Sequence, residues 1–140
     1  MYALPLSVVV YGRSRPKGSM RAVGRGRMVE AVIGSSAWKA HVTESVLRAL
    51  GAVGGPGGPE RPYEPFCGPV AVVLEVVLAE DVTGLRAGDL DKHCRSAGDS
   101  LTEAGVIEDD RLIVSWTAAK RRCVPGEQPH VWICVQAVPV

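Results

Sequence analysis

Four aspartates carry the strongest chemical signal in the sequence. Asp89 and Asp91 form a D-x-D pair, and Asp109 and Asp110 form a D-D pair. Carboxylates crowded to about 4 Å repel by roughly 4 kcal/mol per pair at an effective dielectric near 20. A site built from them needs protons or a cation. Hard oxygen donors favour Mg²⁺ or Mn²⁺, and Mg²⁺ takes few protein carboxylates, keeping positions for water and substrate phosphates. An ion held that way lowers the pKa of bound water and braces charge on a phosphoryl oxygen. Aspartate is also a common helix N-cap and turn residue, and Asp89 directly precedes a periodic segment. Spacing alone leaves both readings open.

The charge distribution supplies a second clue. The net charge is only +1. Between Tyr11 and Lys39, however, seven basic residues face one acid, Glu30, whereas between Glu80 and Asp110 three basic residues face nine acids. A basic arm thus precedes an acidic centre. That split suits a polyanionic partner brought to a carboxylate site. Together with the aspartates it points to phosphodiester hydrolysis, with Lys17, Arg21, Arg25, Arg27 and Lys120 as candidate phosphate contacts. Such contacts supply affinity and position, not sequence readout.

Other chemistries find little support. Cys67, Cys94, Cys123 and Cys134 include no C-x-x-C and match no zinc-site spacing, so they read as reduced, mostly buried thiols. His41, His93 and His130 are scattered and read as structural or surface residues. No G-x-S-x-G occurs, which removes the main signature of a serine nucleophile. No Gly-rich phosphate loop joins a strand to a helix, which counts against a nucleotide-diphosphate enzyme and a small-molecule cofactor. No apolar run is long enough to cross a membrane as a helix. The N-terminus lacks the order of a secretory signal, so the expected compartment is the cytoplasm.

The elements that must position these residues follow from hydrophobic period. In 140 residues one domain fits, with no internal repeat. Leu4–Tyr11 reads as a first strand. A basic arm over about 12–27 reads as loop, and Met28–Ile33 as a short strand. Ser35 or Ser36 caps a helix to Leu50 that packs Trp38, Val42 and Val46 and is expected to stop at Gly51. A flexible Gly/Pro connection over about 51–65 leads to an apolar strand, Pro69–Glu80. After Asp89, the stripe Leu90, Cys94, Ala97, Leu101, Ala104 marks an amphipathic helix ended by Gly105. Asp91, Arg95 and Asp99 recur at intervals of four on its other side. Leu112–Ala118 and Val131–Val138 complete the strands. Trp38, Trp116 and Trp132 read as core. The predicted class is α+β: a single domain with a mixed β-sheet and two main helices packed mostly on one face. The helix returns the chain, so D-x-D and D-D are expected to meet.

The segment Gly88-Asp89-Leu90-Asp91-Lys92, with Asp99-Ser100-Leu101, Ala104-Gly105-Val106-Ile107 and Asp109-Asp110, resembles the RusA family of Holliday junction resolvases. Pro16-Lys17-Gly18-Ser19-Met20-Arg21 is similar to the basic element near the start of many phage members, and Lys120 falls where that family carries a lysine. The similarity spans most of the chain. It implies a homodimeric endodeoxyribonuclease, dependent on Mg²⁺ or Mn²⁺, that cuts four-way DNA junctions. A two-fold dimer presents two equivalent sites to a junction with two strands to cut. The resemblance assigns Asp89, Asp91 and Asp110 as metal-holding and catalytic carboxylates. Asp99, Lys92 and Asp109 stand as possible support. Two positions depart from the pattern: Lys92 replaces an asparagine, and Arg95 replaces the catalytic lysine. Arginine holds phosphate in a planar fork but does not readily give up its proton. The alternative reading is a junction-binding protein with weak or no nuclease activity because of Arg95.

Overall fold

The computed structural model describes residues 5–15, 20–22, 28–30, 35–53, 64–79 and 89–139, with residues 20–22, 28–30, 35, 52 and 53 as backbone alone. The chain forms β1 (Leu6–Tyr11), β2 (Met20–Ala22), β3 (Met28–Glu30), α1 (Ser35–Val53), β4 (Val70–Leu78), α2 (Leu90–Glu103), β5 (Ile113–Arg122) and β6 (His130–Ala137). The main sheet has the order β1-β6-β4-β5. β6 runs antiparallel to β1 and β4, whereas β5 runs parallel to β4. It is the mixed sheet of an α+β domain. The parallel β4–β5 pair requires a crossover, and α2 provides it.

Strict alternation builds the core. Leu6, Val8 and Val10 of β1, Val70, Val72, Leu74 and Val76 of β4, and Val131, Ile133 and Val135 of β6 are buried. Successive strand residues point to opposite faces, so these sets share one face. Trp38, Val42, Val46 and Leu50 of α1 and Cys94, Ala97 and Leu101 of α2 join the same cluster. Both helices therefore cover that face, and the Ser100 hydroxyl ties them by donating to the Lys39 carbonyl at 3.2 Å. No helix among the described residues is long and apolar enough to cross a membrane.

The two helices end differently. Gly105 adopts φ +76°, its N–H donates to Thr102 O at 3.1 Å, and Val106 N–H donates to Leu101 O at 3.0 Å. Those bonds satisfy carbonyls that the helix leaves open, and glycine adopts the left-handed turn without a Cβ penalty. α2 thus stops where expected. α1 instead runs through Gly51 to Val53. Gly51 is not among the positive-φ glycines, so it weakens the helix without turning it.

The basic arm is not all loop. Met20–Ala22 pairs antiparallel with Met28–Glu30 as a separate two-stranded ribbon, with Arg21 opposite Val29. Three-residue strands are too short to show a period, which is why composition reads the first as loop. Lys17, Arg25 and Arg27 lie outside the described residues, as does most of the Gly/Pro connection. The cysteine and tryptophan expectations also need correction. The four cysteines are free, but only Cys94 is buried and Cys67 is exposed. Of the three tryptophans only Trp38 is buried: β5 is an edge strand that leaves Trp116 36% exposed, and Trp132 of β6 lies on the sheet face opposite buried Val131 and Ile133.

The β5–β6 turn is clamped by ions. Arg121 donates from both terminal nitrogens to Glu127, at 2.6 and 2.8 Å, and also contacts Glu75 at 3.3 Å. The Arg121 bidentate bond, with the Val124 N–H as a lesser cause, pulls the Glu127 carboxyl down to about 2. A carboxyl lowered on folding adds stability that is complete above its ordinary value near 4.5 and is lost as pH falls towards 2. Glu127→Gln is therefore expected to lower Tm at pH 7. The gap to the parent protein should close between pH 4.5 and pH 2. A gap that stays constant in thermal melts over that range would show that the charge of Glu127 contributes nothing.

Candidate functional site

The D-D pair divides into two roles. Asp109 caps the short 3₁₀ turn Asp110–Leu112, accepting the Arg111 backbone N–H at 2.8 Å. That hydrogen bond is the main reason its carboxyl lies below the ordinary value. Asp109 is thus occupied by its own backbone. Asp110 instead lines an open cleft between α2 and β5.

That cleft has a volume of about 470 Å³. Asp91 and Arg95 of α2 share it with Asp110, and Trp116, Ile113 and Ala118 of β5 provide its other wall. A β-bulge makes that wall. Val70 pairs with Ile113 but Ala71 pairs with Ser115, so the register shifts by one across Val114. Without the extra residue, Ile113 and Trp116 would face opposite sides of the sheet; with it, both face α2. Lys120 continues the same strand face two residues beyond Ala118, opposite Val76 of β4.

At the helix start, Asp89 occupies the N-cap position in extended backbone, yet its side chain makes no capping hydrogen bond. The capping explanation for Asp89 therefore does not hold. Asp91 contacts Arg95 at 3.8 Å with both side chains more than half exposed. An exposed pair of that kind contributes little and leaves both groups able to engage a ligand. Cys94, buried beside Asp91, has its thiol pushed up by burial first and by the Asp91 charge second, so it stays protonated.

The expected meeting of D-x-D with D-D is only partial. Asp91 and Asp110 share one cleft but stand towards its two ends. A Cβ added to Gly98 would lie 3.7 Å from the Asp110 Cβ, and Gly98 is seven residues beyond Asp91. At 1.5 Å rise per residue, about 10 Å of helix lies between them. Among the described residues, no three His, Cys, Asp or Glu side chains gather as a metal-holding group. The donors still fit a hard divalent ion. They are oxygen-only, open to solvent and only loosely paired, and Mg²⁺ needs one or two carboxylates when water and phosphate complete its shell.

Asp99 keeps the spacing of Asp91 and Arg95 but belongs to a second open cleft, with Lys39, Thr102, Glu103, Asp109 and Asp110. Asp110 is the residue common to both. Lys92 is half-buried on the first turn of α2 and does not line either cleft. Arg21 sits in β2, for which only the backbone is described.

Three residues escaped the sequence reading as parts of the site. Trp116 and Ile113 are hidden by the bulge, which no local pattern announces. Gly98 is a glycine inside α2, where it costs about 1 kcal/mol relative to alanine. Nothing about its space demands glycine, since an added Cβ would make only ordinary contacts of 3.6–3.8 Å. A costly glycine without a steric need is the signal that could have found the cleft. His93 fulfils its structural expectation: it is 2% exposed and bonded through Nδ1 to the Ser14 hydroxyl at 2.9 Å. That bond ties the root of the basic arm to α2. No known family model matches the chain, and no curated protein matches it.

Proposed function

We propose that the protein is a metal-dependent, structure-selective endonuclease that resolves four-way DNA junctions by paired phosphodiester hydrolysis, acting as a homodimer. The observation that carries this reading is one open cleft that combines Asp91, Asp110 and Arg95 on adjoining elements. The D-x-D…D-D pattern and the basic arm support it from the sequence. Asp91, with Asp89 just before it, and Asp110 are the residues that would hold Mg²⁺ or Mn²⁺. When bound, the ion supplies a Lewis acid and an acidified water.

The side chains have separable tasks. Arg95 lies between the two acids along α2, and its planar guanidinium fork binds and orients the scissile phosphate. Lys120 extends positive charge along the β5 face beyond the Asp91 end. The arm contributes phosphate contacts, and Ser14–His93 fixes where the arm leaves the domain relative to α2.

The test is a nicking assay on a labelled four-way junction beside a matched linear duplex, with Mg²⁺, Mn²⁺ or EDTA. Paired nicks confined to the junction and abolished by EDTA are expected. Nicking that persists in EDTA would refute the metal assignment. The wide spacing of Asp91 and Asp110 favours one second reading, a junction-binding protein without cleavage. Tight junction binding with no nicks in either metal would establish it.

A further inference from the structure

β5 ends the sheet on one side, and its outer edge pairs with no strand among the described residues. It runs for 10 residues, and an open edge of that length is a template for another chain. Such edges are usually blunted by charge or proline, yet Ser115 to Ala119 contains neither. The bulge across Val114 precedes that stretch, which is itself regular. Charge gathers at the two ends instead. Residues 108–111 hold three acids and one base, whereas residues 120–122 are three bases. Two β5 strands laid antiparallel would set each acidic end beside the other's basic end.

We infer that β5 pairs antiparallel with β5 of a second copy, centred on Thr117, and that each copy thereby lends Lys120 and Arg122 to the other's cleft; the role of those two bases rests on the endonuclease reading. Directly opposed residues of an antiparallel pair share a face, so the two-fold axis stands perpendicular to the sheet. Centring on Thr117 sets Ser115 against the partner's Ala119 and Trp116 against the partner's Ala118. Threonine pairs favourably with threonine across strands, and the large indole meets a small neighbour that covers part of its exposed ring. Both helix layers then lie on one side of a continuous sheet, so one branched DNA can span both clefts. Within a single copy, Lys120 lies roughly 20 Å of strand beyond Ile113, out of reach of Asp110 at the other end. The partner's Lys120 instead falls opposite Val114, and the partner's Arg122 opposite Leu112, two residues from Asp110. Ala118 lines the cleft, and Lys120 and Arg122 alternate onto that same face.

Oxidative cross-linking of the full chain tests the pairing without DNA. Thr117→Cys should close a disulfide between copies, because opposed Cα atoms stand about 4.5–5.5 Å apart, within disulfide range. Ser115→Cys and Ala119→Cys should link to each other when mixed but not to themselves, with the parent's own thiols as background. Thr117→Lys should weaken the dimer by about tenfold in sedimentation. Mixing it with Thr117→Glu should restore the dimer, which a misfolded variant would not do. Junction nicking then tests the shared bases. Asp110→Asn and the double variant Lys120→Ala/Arg122→Ala should each nick poorly. In their mixed dimer one site loses both contributions and the other keeps both. Mixing equal amounts should therefore recover about a quarter of the parent rate, as single rather than paired nicks.

Several results overturn the inference. A parent protein that sediments as a monomer at micromolar concentration removes the pairing, as does a dimer that forms neither cross-link. A Thr117→Lys dimer as tight as the parent's places the interface elsewhere. A mixture that nicks no faster than its components, although the copies exchange, shows that Lys120 and Arg122 do not serve the partner's cleft. A chain that cross-links through Thr117 but never nicks a junction keeps the pairing and removes the endonuclease reading.

Discussion

Asp110→Asn is expected to lower metal-dependent nicking by at least about a hundredfold while leaving junction affinity in EDTA equal to or above that of the parent protein. The two effects have opposite signs for one reason. The amide preserves the shape of the carboxylate but removes its charge. The lost charge was a ligand to the ion and also a repulsion towards the DNA phosphates. Asp110 is exposed and makes no capping bond that asparagine would have to replace, so Tm should stay within a few degrees. Asp109→Asn supplies the internal comparison. Its carboxylate caps the 3₁₀ turn through the Arg111 N–H, and asparagine caps about as well as aspartate. Nicking by Asp109→Asn should therefore fall only slightly. Quantified nicking rates with both variants decide the matter. A larger loss in Asp109→Asn than in Asp110→Asn would reverse the division of roles within the D-D pair.

That division illustrates which features were legible in the sequence. The buried stripe from Leu90 to Ala104 depends only on helical period, and α2 follows it to the expected stop at Gly105. The central strand depends on a run of valines that no exposed element could carry. Both are consequences of local composition, and local composition was sufficient. Asp109 and Asp110 are identical neighbours, and only the backbone of the 3₁₀ turn distinguishes cap from cleft. The bulge at Val114 is likewise invisible, yet it turns Trp116 towards α2 and converts an expected core tryptophan into a wall of the site. Of the ribbon, only the strand Met20–Ala22 was missed, because three residues show no period; its partner Met28–Glu30 lies within the expected strand Met28–Ile33. The spacing of the acids was misjudged for a different reason. A helix that returns the chain brings Asp110 beside the residue it faces, and that residue is Gly98, two turns past Asp91.

Arg95 is where the two functional readings make different predictions. If the guanidinium binds and orients the phosphate, Arg95→Ala should reduce nicking by about a hundred- to a thousandfold, the range for removing one donor that stabilises developing charge. Junction affinity should fall less, since the arm supplies other phosphate contacts. The loose, solvent-exposed contact with Asp91 at 3.8 Å leaves little structure to lose, so Tm should hardly change. Arg95→Lys then separates charge from proton transfer. Arginine keeps its proton at any working pH, whereas an unperturbed lysine loses its own near pH 10.4. A lysine acting only through charge should support nicking at neutral pH and fail as pH rises towards that value, a decline the parent protein does not share. A lysine acting as proton donor should exceed the parent rate at neutral pH, because arginine performs that task poorly. A parent protein that binds junctions without nicking, yet nicks once Arg95 is lysine, would establish the binding-protein reading and identify the residue responsible. Equal rates in parent, Arg95→Ala and Arg95→Lys would remove Arg95 from the site, leaving the carboxylates and the arm to account for any cleavage.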